Sequence, residues 1–348
     1  MKIVTVIGAR PQFIKAAVVA RELKNYPDIK EVLVHTGQHY DKQMSDIFFT
    51  ELQIPEPDYN LAIGSGFHGE QTGKMLAGIE KILITEKPNW VLTYGDTNST
   101  LAGALAAAKL NIKIAHVEAG LRSYNMEMPE EVNRIMTDHI STLLLSPTKN
   151  ACSILEKEGL GSKTVFSGDV MYDSVLYYDK MTQGSKPVAE VKDKYYLATI
   201  HRPSNTDVKE NLMSIFRALN SLPHEVVIPL HPRTRKIISV MDIPSDNIIM
   251  IDPVGYKDMV MLLKGCEKVF TDSGGLQKEA FFLGKQCVTM REETEWIETL
   301  SDNWNVLAGA DEAKITAGAG LKKSDLPRGD YFGDGNAGRK IIESITAT

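Results

Sequence analysis

The sequence predicts an α/β protein built from two doubly wound parallel sheets, and three observations predict it. Short β-branched runs alternate with helical patterns along the whole chain, and this βαβα rhythm implies parallel strands joined by crossover helices. Several of those runs are continuously apolar rather than alternating, as strands covered on both faces are. At 348 residues the chain is about twice the usual single-domain length, so each half is long enough to bury its own core.

The elements follow in order. Lys2–Ile7 is an apolar run stopped by Gly8 and Pro11, and Val32–His35 a second, closed by Gly37. Trp90–Tyr94 ends at Gly95 and is followed by a small-residue helix, Leu101–Leu110; Ile112–Val117 and Thr142–Leu145 complete the first set of strands. A second set follows Asp169: Tyr196–Ile200, Glu225–Leu230, Asn247–Ile251, Lys268–Thr271 and Cys287–Met290. Between the sets, Met181–Lys194 is polar and contains Gly184 and Pro187, so it reads as an exposed connection. Gly335–Ile345 reads as a last helix, which in a chain of this kind can cross back onto the first domain. The expected division is therefore 1–168 with the C-terminal helix 335–348, and 169–334. No repeat of 20–50 residues is visible, so the duplication is one of architecture only.

Composition narrows the function. Hydrophobic residues at 43% and charged residues at 24% are those of a folded globular protein. With 39 basic against 45 acidic residues the net charge is −6, so nothing global favours a nucleic acid or an anionic membrane, and any anion must be held locally. Cys152, Cys266 and Cys287 are far apart with no CxxC pair, which argues against a disulfide framework or zinc knuckle and fits a reducing cytoplasm. The first apolar run is too short for a signal peptide, and none approaches the ~18 residues of a membrane span.

The polar residues that could carry chemistry collect where strands end. Gly8-Ala9-Arg10-Pro11-Gln12-Phe13-Ile14-Lys15 follows the first strand, and such a turn is expected to offer unpaired backbone N–H groups and two cations to a phosphate. Asp96 follows the Trp90–Tyr94 strand; as a helix cap it would be unremarkable, and Thr97 or Asn98 could serve as well. The next strand ends in His116-Val117-Glu118-Ala119-Gly120-Leu121-Arg122, and Glu130 and Glu131 open the helix after Pro129. One such acid is ordinarily a cap, whereas three at strand ends resemble proton-transfer groups. In the second half, His201-Arg202 and His231-Pro232-Arg233 follow strands, and Thr271-Asp272-Ser273-Gly274-Gly275-Leu276-Gln277-Lys278-Glu279 reads as strand, glycine turn and helix. Gly274 and Gly275 would let backbone amides approach a pyrophosphate, and Glu279 could reach a ribose hydroxyl. Two formal matches carry less: Gly64–Gly69 fits GxGxxG but lacks the βαβ context, and His35 and His39 lack a third metal ligand, so neither a dinucleotide nor a metal is expected.

Taken together, GARPQFIK, HTGQHYD, YGDTNST, HVEAGLR, PEEVNR, ATIHRP, LHPRTR, TDSGGLQKEA and ETEW resemble, in order and spacing, the non-hydrolysing UDP-N-acetylglucosamine 2-epimerases. The resemblance runs from Lys2 to about Ile345. It implies two Rossmann-like domains in a glycosyltransferase-B arrangement, a UDP-sugar in the interdomain cleft, a cytoplasmic homodimer and no cofactor. By the same resemblance, Asp96, Glu118 and Glu130 are catalytic carboxylates and His201 a catalytic or phosphate-binding group. Arg10 and Lys15 would hold the sugar diphosphate, and Ser273, Gly274, Gly275 and Glu279 the diphosphate and ribose of UDP. The implied chemistry is anti-elimination of UDP to a 2-acetamidoglucal and re-addition with protonation on the opposite face of C2, feeding surface polysaccharide synthesis. Gln12, where common members carry an acid, His201-Arg202-Pro203-Ser204-Asn205 and the short loop from Arg122 to Pro129 are similar to the branch acting on UDP-2,3-diacetamido-2,3-dideoxyglucuronate. A uronate carboxylate would need a cation, for which Arg122 and Arg202 are the candidates. A glycosyltransferase of the same architecture is the rival reading, and a non-catalytic UDP-sugar sensor a more distant one, since neither needs three clustered acids.

Overall fold

The computed structural model describes residues 1–38, 54–185, 191–230, 232–322 and 328–348, apart from the side chains of Arg10, Pro232 and Arg233. The chain divides into two units, Met1–Leu176 with Asp330–Thr348, and Tyr177–Gly329.

Among the described residues unit one is built on a seven-stranded parallel sheet. Its strands are β1 (Lys2–Ile7), β2 (Lys30–His35), β3 (Tyr59–Asn60), β4 (Trp90–Tyr94), β5 (Lys113–Val117), β6 (Leu143–Ser146) and β7 (Thr164–Phe166), in the order β3-β2-β1-β4-β5-β6-β7. Ile3, Val4, Val6 and Ile7 of β1 are all inaccessible, which is why the run reads as continuously apolar rather than alternating. The Asn98–Lys109 helix buries Ala102, Ala104, Ala106 and Ala107 completely, and a Cβ on Gly103 would lie 3.2 Å from Val6, so small residues are what let it lie close on the sheet. The C-terminal helix Ala337–Ala347 packs in the same unit, where a Cβ on Gly338 would lie 2.9 Å from Val18. Its first turn is held by Asp173, whose Oδ2 accepts from the Gly338 amide at 2.9 Å, and burial pushes the Asp173 carboxyl up to about 6.

Unit two repeats the strand order. β8 (Tyr195–Thr199), β9 (Glu225–Pro229), β10 (Ile248–Ile251), β11 (Lys268–Thr271), β12 (Gln286–Thr289) and β13 (Asn305–Leu307) run parallel in the order β10-β9-β8-β11-β12-β13. One face of this sheet packs Ala198, Val226, Ile228 and Phe270 against Leu212, Ile215, Phe216 and Leu219, and the other packs Tyr195, Leu197, Val269 and Cys287 against Leu262, Leu263 and Cys266. Burial pushes the thiols of Cys266 and Cys287 up to about 12, while Cys152 in unit one is only partly buried. No described helix is long and apolar enough to cross a membrane.

The sequence reading omits β3, β7 and β13, which are all edge strands of two or three residues. An edge strand is paired on one side and partly wet, so it needs no apolar run; β7 has no buried residue at all. In both sheets the strand order reverses beside the first strand, between β1 and β4 and between β8 and β11, and the carboxyl ends flanking such a switch point are where open α/β sheets place ligands.

Candidate active site

In unit one the residues at the carboxyl edge begin with the turn after β1. A Cβ on Gly8 would lie 2.1 Å from the hydroxyl oxygens of Thr36 and Ser99, so no larger residue fits. The expectation of unpaired N–H groups is corrected here: the amides of Gly8 and Ala9 donate to Gln12 Oε1 at 2.8 and 3.0 Å. Gln12 Nε2 donates in turn to the Tyr94 carbonyl at 2.8 Å and to Thr100 Oγ1 at 3.0 Å. A buried primary amide thus has all its capacity used and ties the β1 turn to the end of β4. The side chain of Arg10 lies outside the described residues, whereas Lys15 is buried and pairs with Glu118 through Nζ and Oε2.

The acids stand on the neighbouring strand ends. Thr97, not Asp96, caps the Asn98–Lys109 helix, its side chain accepting from the Thr100 amide. Asp96 is thereby released from capping; its carboxylate, one-third exposed, pairs with Arg134 Nη2 at 2.7 Å. Glu118 has a φ of +72°, a left-handed conformation that is costly for a side-chain-bearing residue and held by the Leu145 carbonyl, which accepts from its amide at 3.0 Å. Its Oε2 lies 3.4 Å from where a Cβ on Gly95 would be, so the second acid rests against the residue that precedes Asp96. Glu130 is exposed in the first turn of the Pro129–Ile140 helix. Glu131 beside it is inaccessible and accepts from the Ser123 and Tyr124 amides at 2.9 Å, so it clamps the preceding loop.

Arg122 is held by acids of its own unit. Its Nε and Nη2 donate to Glu158 at 2.8 and 2.6 Å, and its Nη1 to Asp138 and the Leu121 carbonyl, each at 2.7 Å, with the side chain almost wholly buried. This guanidinium is thus engaged by protein acceptors. Three groups that the sequence reading did not single out complete the cluster. Arg134 joins Asp96 to Glu131, Asn133 Nδ2 donates to the Asp96 carbonyl at 2.9 Å, and Asp138 receives Arg122. The signal was available: Asn133, Arg134, Thr137 and Asp138 are buried polar residues recurring every three or four positions on one face of a helix.

In unit two, His201 and Arg202 follow β8 while Ser273, Gly274 and Gly275 follow β11. The buried Asp272 fastens the two turns, accepting from the His201 amide at 3.1 Å, the Arg202 amide at 3.0 Å and Asn205 Nδ2 at 3.1 Å. His201, half exposed, has Nδ1 at 3.2 Å from Asp272 Oδ1, and Arg202 Nε donates to the Asp272 carbonyl at 3.1 Å. Ser273 caps the Gly274–Phe282 helix, its Oγ accepting from the Leu276 amide at 3.3 Å. A Cβ on Gly274 would lie 2.6 Å from Glu295 Oε1. Burial raises the Glu295 carboxyl, but Arg291 and Arg202 outweigh it, so this acid stays below its usual range. Glu279 is buried within the same helix. His39 and His231 lie outside the described residues, and the described ones contain no cluster of three or more metal-ligating side chains.

Comparison with known proteins places these features in context. Residues 21–346 match the family model described as UDP-N-acetylglucosamine 2-epimerase. A Methanococcus maripaludis protein described as a UDP-N-acetylglucosamine 2-epimerase homolog is 51% identical, over 99% of both chains. The UDP-2,3-diacetamido-2,3-dideoxy-D-glucuronate 2-epimerase of Pseudomonas aeruginosa is 50% identical, again over 99% of both. Among solved structures, the Methanocaldococcus jannaschii UDP-GlcNAc 2-epimerase in complex with UDP-GlcNAc and UDP superposes with a TM-score of 0.90 at 40% identity, covering 100% of each chain.

Proposed function

The chain belongs to the UDP-N-acetylglucosamine 2-epimerase family, a family of isomerases, and on that premise we propose that it inverts C2 of a UDP-linked 2-acetamido sugar by elimination and re-addition of UDP. The observation that carries the reading is the placement of Asp96 and Glu118 at adjacent strand ends, each beside its own cation, Arg134 and Lys15. Inversion at C2 requires a base on one face and an acid on the other. In the forward step a carboxylate of this group takes the C2 proton, the C2–H electrons become the C1=C2 bond, and the C1–O bond breaks with its electrons on UDP. In the return step UDP oxygen re-forms the bond to C1 while a proton reaches C2 from the opposite face. We assign these proton transfers to Asp96, Glu118 and Glu130. Arg10 and Lys15 hold the sugar diphosphate, while His201, Arg202, Ser273, Gly274, Gly275 and Glu279 hold UDP. The departing diphosphate gains charge as the bond breaks, which fixed cations and a helix N-terminus stabilise.

Turnover in deuterium oxide tests this directly. Product carrying one solvent deuteron at C2 is expected, and product without deuterium overturns elimination and re-addition. Asp96→Asn and Glu118→Gln should each lose turnover by about 10²-fold or more.

The 50% identity to the P. aeruginosa enzyme favours a second reading, in which the sugar is a diacetamido-uronate and the product supplies surface polysaccharide synthesis. A site built for the uronate pairs its carboxylate, and a neutral hydroxymethyl leaves that partner unmet, with discrimination of order 10². The two UDP-sugars assayed side by side separate the readings. Arg202→Met should narrow the difference if the uronate is the substrate.

A further inference from the structure

His116 stands in β5, two residues before Glu118, with its side chain inaccessible. Its Nδ1 is 2.7 Å from Asp138 Oδ1, and its Nε2 is 2.7 Å from the carbonyl oxygen of Gly95. The carbonyl can only accept. Asp138 is an acceptor too, because the Arg122 guanidinium 2.7 Å away favours its ionised form. Its other oxygen already accepts from the Gly120 amide at 3.2 Å and from Arg122 Nη1 at 2.7 Å. Neither neighbour has a proton to offer, so both contacts require a proton on the ring.

We propose that His116 is a positioning residue for Asp96 and Glu118, fastening the two strand ends that carry them by donating from both ring nitrogens at once. The proposal rests on reading those acids as proton-transfer groups. Gly95 immediately precedes Asp96 and sits at φ +63°; its amide donates to the Val117 carbonyl at 3.0 Å while its own carbonyl accepts from His116. The Asp96 turn is therefore bound to β5 through both of its peptide groups. On the far side, Asp138 carries the same ring to Gly120, which lies two residues after Glu118 at φ +86°. Glu118 is thus a strained residue bracketed by His116 and by Gly120, both of which meet Asp138. Arg122 also faces Asp138 and Glu158, Lys163 Nζ donates to the Asp138 carbonyl at 2.9 Å, and His139 Nε2 lies 3.7 Å from Glu158. Were one ring nitrogen to lose its proton, two acceptors would face each other at 2.7 Å in a dry interior, and either the Gly95 or the Asp138 side of the brace would open.

The ring can be read directly. The full-length protein, labelled with 15N in its histidine rings, is examined at neutral pH by long-range proton–nitrogen correlation. His116 is assigned as the signals lost in His116→Asn or displaced in Asp138→Asn or, should neither variant fold, as the ring whose N–H protons exchange most slowly with solvent. Two protonated ring nitrogens are expected; one unprotonated nitrogen overturns the proposal. The kinetic arm uses whichever variant keeps the wild-type circular dichroism and UDP affinity. There kcat should fall by about 10²-fold with KM nearly unchanged, the loss expected when reacting groups are displaced by about an ångström. A folded variant with wild-type kcat overturns the proposal. If Asp96→Asn and Glu118→Gln keep normal turnover, the functional reading fails and this proposal falls with it. If they lose turnover while folded His116→Asn keeps it, this proposal alone falls.

Discussion

Glu130 and Glu131 are neighbours in sequence with opposite situations. Glu130 is exposed, whereas Glu131 is inaccessible and accepts from two loop amides and the Ser123 hydroxyl while pairing with Arg134. Glu130→Gln should leave stability within about 0.5 kcal/mol of wild type, so any loss of activity it causes is chemical. Glu131→Gln puts an amide N–H where an acceptor is needed and should cost about 1–3 kcal/mol. Urea unfolding of the pair, set beside their kcat values, checks both statements. The contrast also shows what is legible in a sequence at this scale. Acids at strand ends are visible because a strand and its terminator are local patterns. The roles of Gln12, His116, Arg134 and Asp138 depend on partners 16 to 88 residues away. No periodicity records such a pairing; it exists only once the sheet has brought β1, β4 and β5 side by side.

Among the elements, the C-terminal helix Ala337–Ala347 shows how a helix end can be tied at a cost. Asp173 Oδ2 accepts from its first turn, yet Asp173 Oδ1 is buried with no hydrogen-bond partner among the described residues. Burial, with Asp169 and Asp334 nearby, raises the folded carboxyl from 3.8 to about 6 against the two helix amides that lower it. Between those values the native state binds more protons than the unfolded one. Stability contributed by the neutral acid is therefore present below about pH 4, falls as pH rises to about 6 and stays lost above, by at most about 3 kcal/mol. Asp173→Asn keeps an acceptor for Gly338 and removes the charge. It should raise the urea midpoint at pH 7.5, by an amount worth about 1–2 kcal/mol, and leave it unchanged near pH 4. Equal midpoints at both pH values would contradict the sign. The interior strands were legible because burial on both faces demands an apolar run; the two- and three-residue edge strands β3, β7 and β13 were not, because pairing on one side demands none, whereas the edge strand β10 carries an apolar run of its own.

At the scale of the whole molecule, two units with one strand order each carry a core, and the aromatic reporters divide between them. Trp90 lies in unit one, and Trp296 and Trp304 lie in unit two. If UDP is held by Ser273–Glu279, it stabilises unit two by linkage, by about 2.7 kcal/mol at a hundred times its Kd. Trp90→Phe leaves only unit-two reporters, and the Trp296→Phe, Trp304→Phe double variant leaves only Trp90. UDP should raise the unfolding midpoint seen by the unit-two reporters, and a rise seen only through Trp90 would reassign the nucleotide to unit one.

The cysteines give the two units different chemical clocks. Thiol alkylation proceeds through the thiolate, and Cys266 and Cys287, the latter in β12 itself, lie in the buried core of unit two with their thiols raised to about 12. In the native fold both are poor nucleophiles and out of reach of a reagent, while Cys152 in unit one is partly accessible. A thiol reagent therefore modifies Cys152 first, and the slower arrival of label at Cys266 and Cys287 records each opening of the unit-two core. Mass spectrometry of the labelled peptides then measures that opening frequency under conditions where nearly all molecules remain folded.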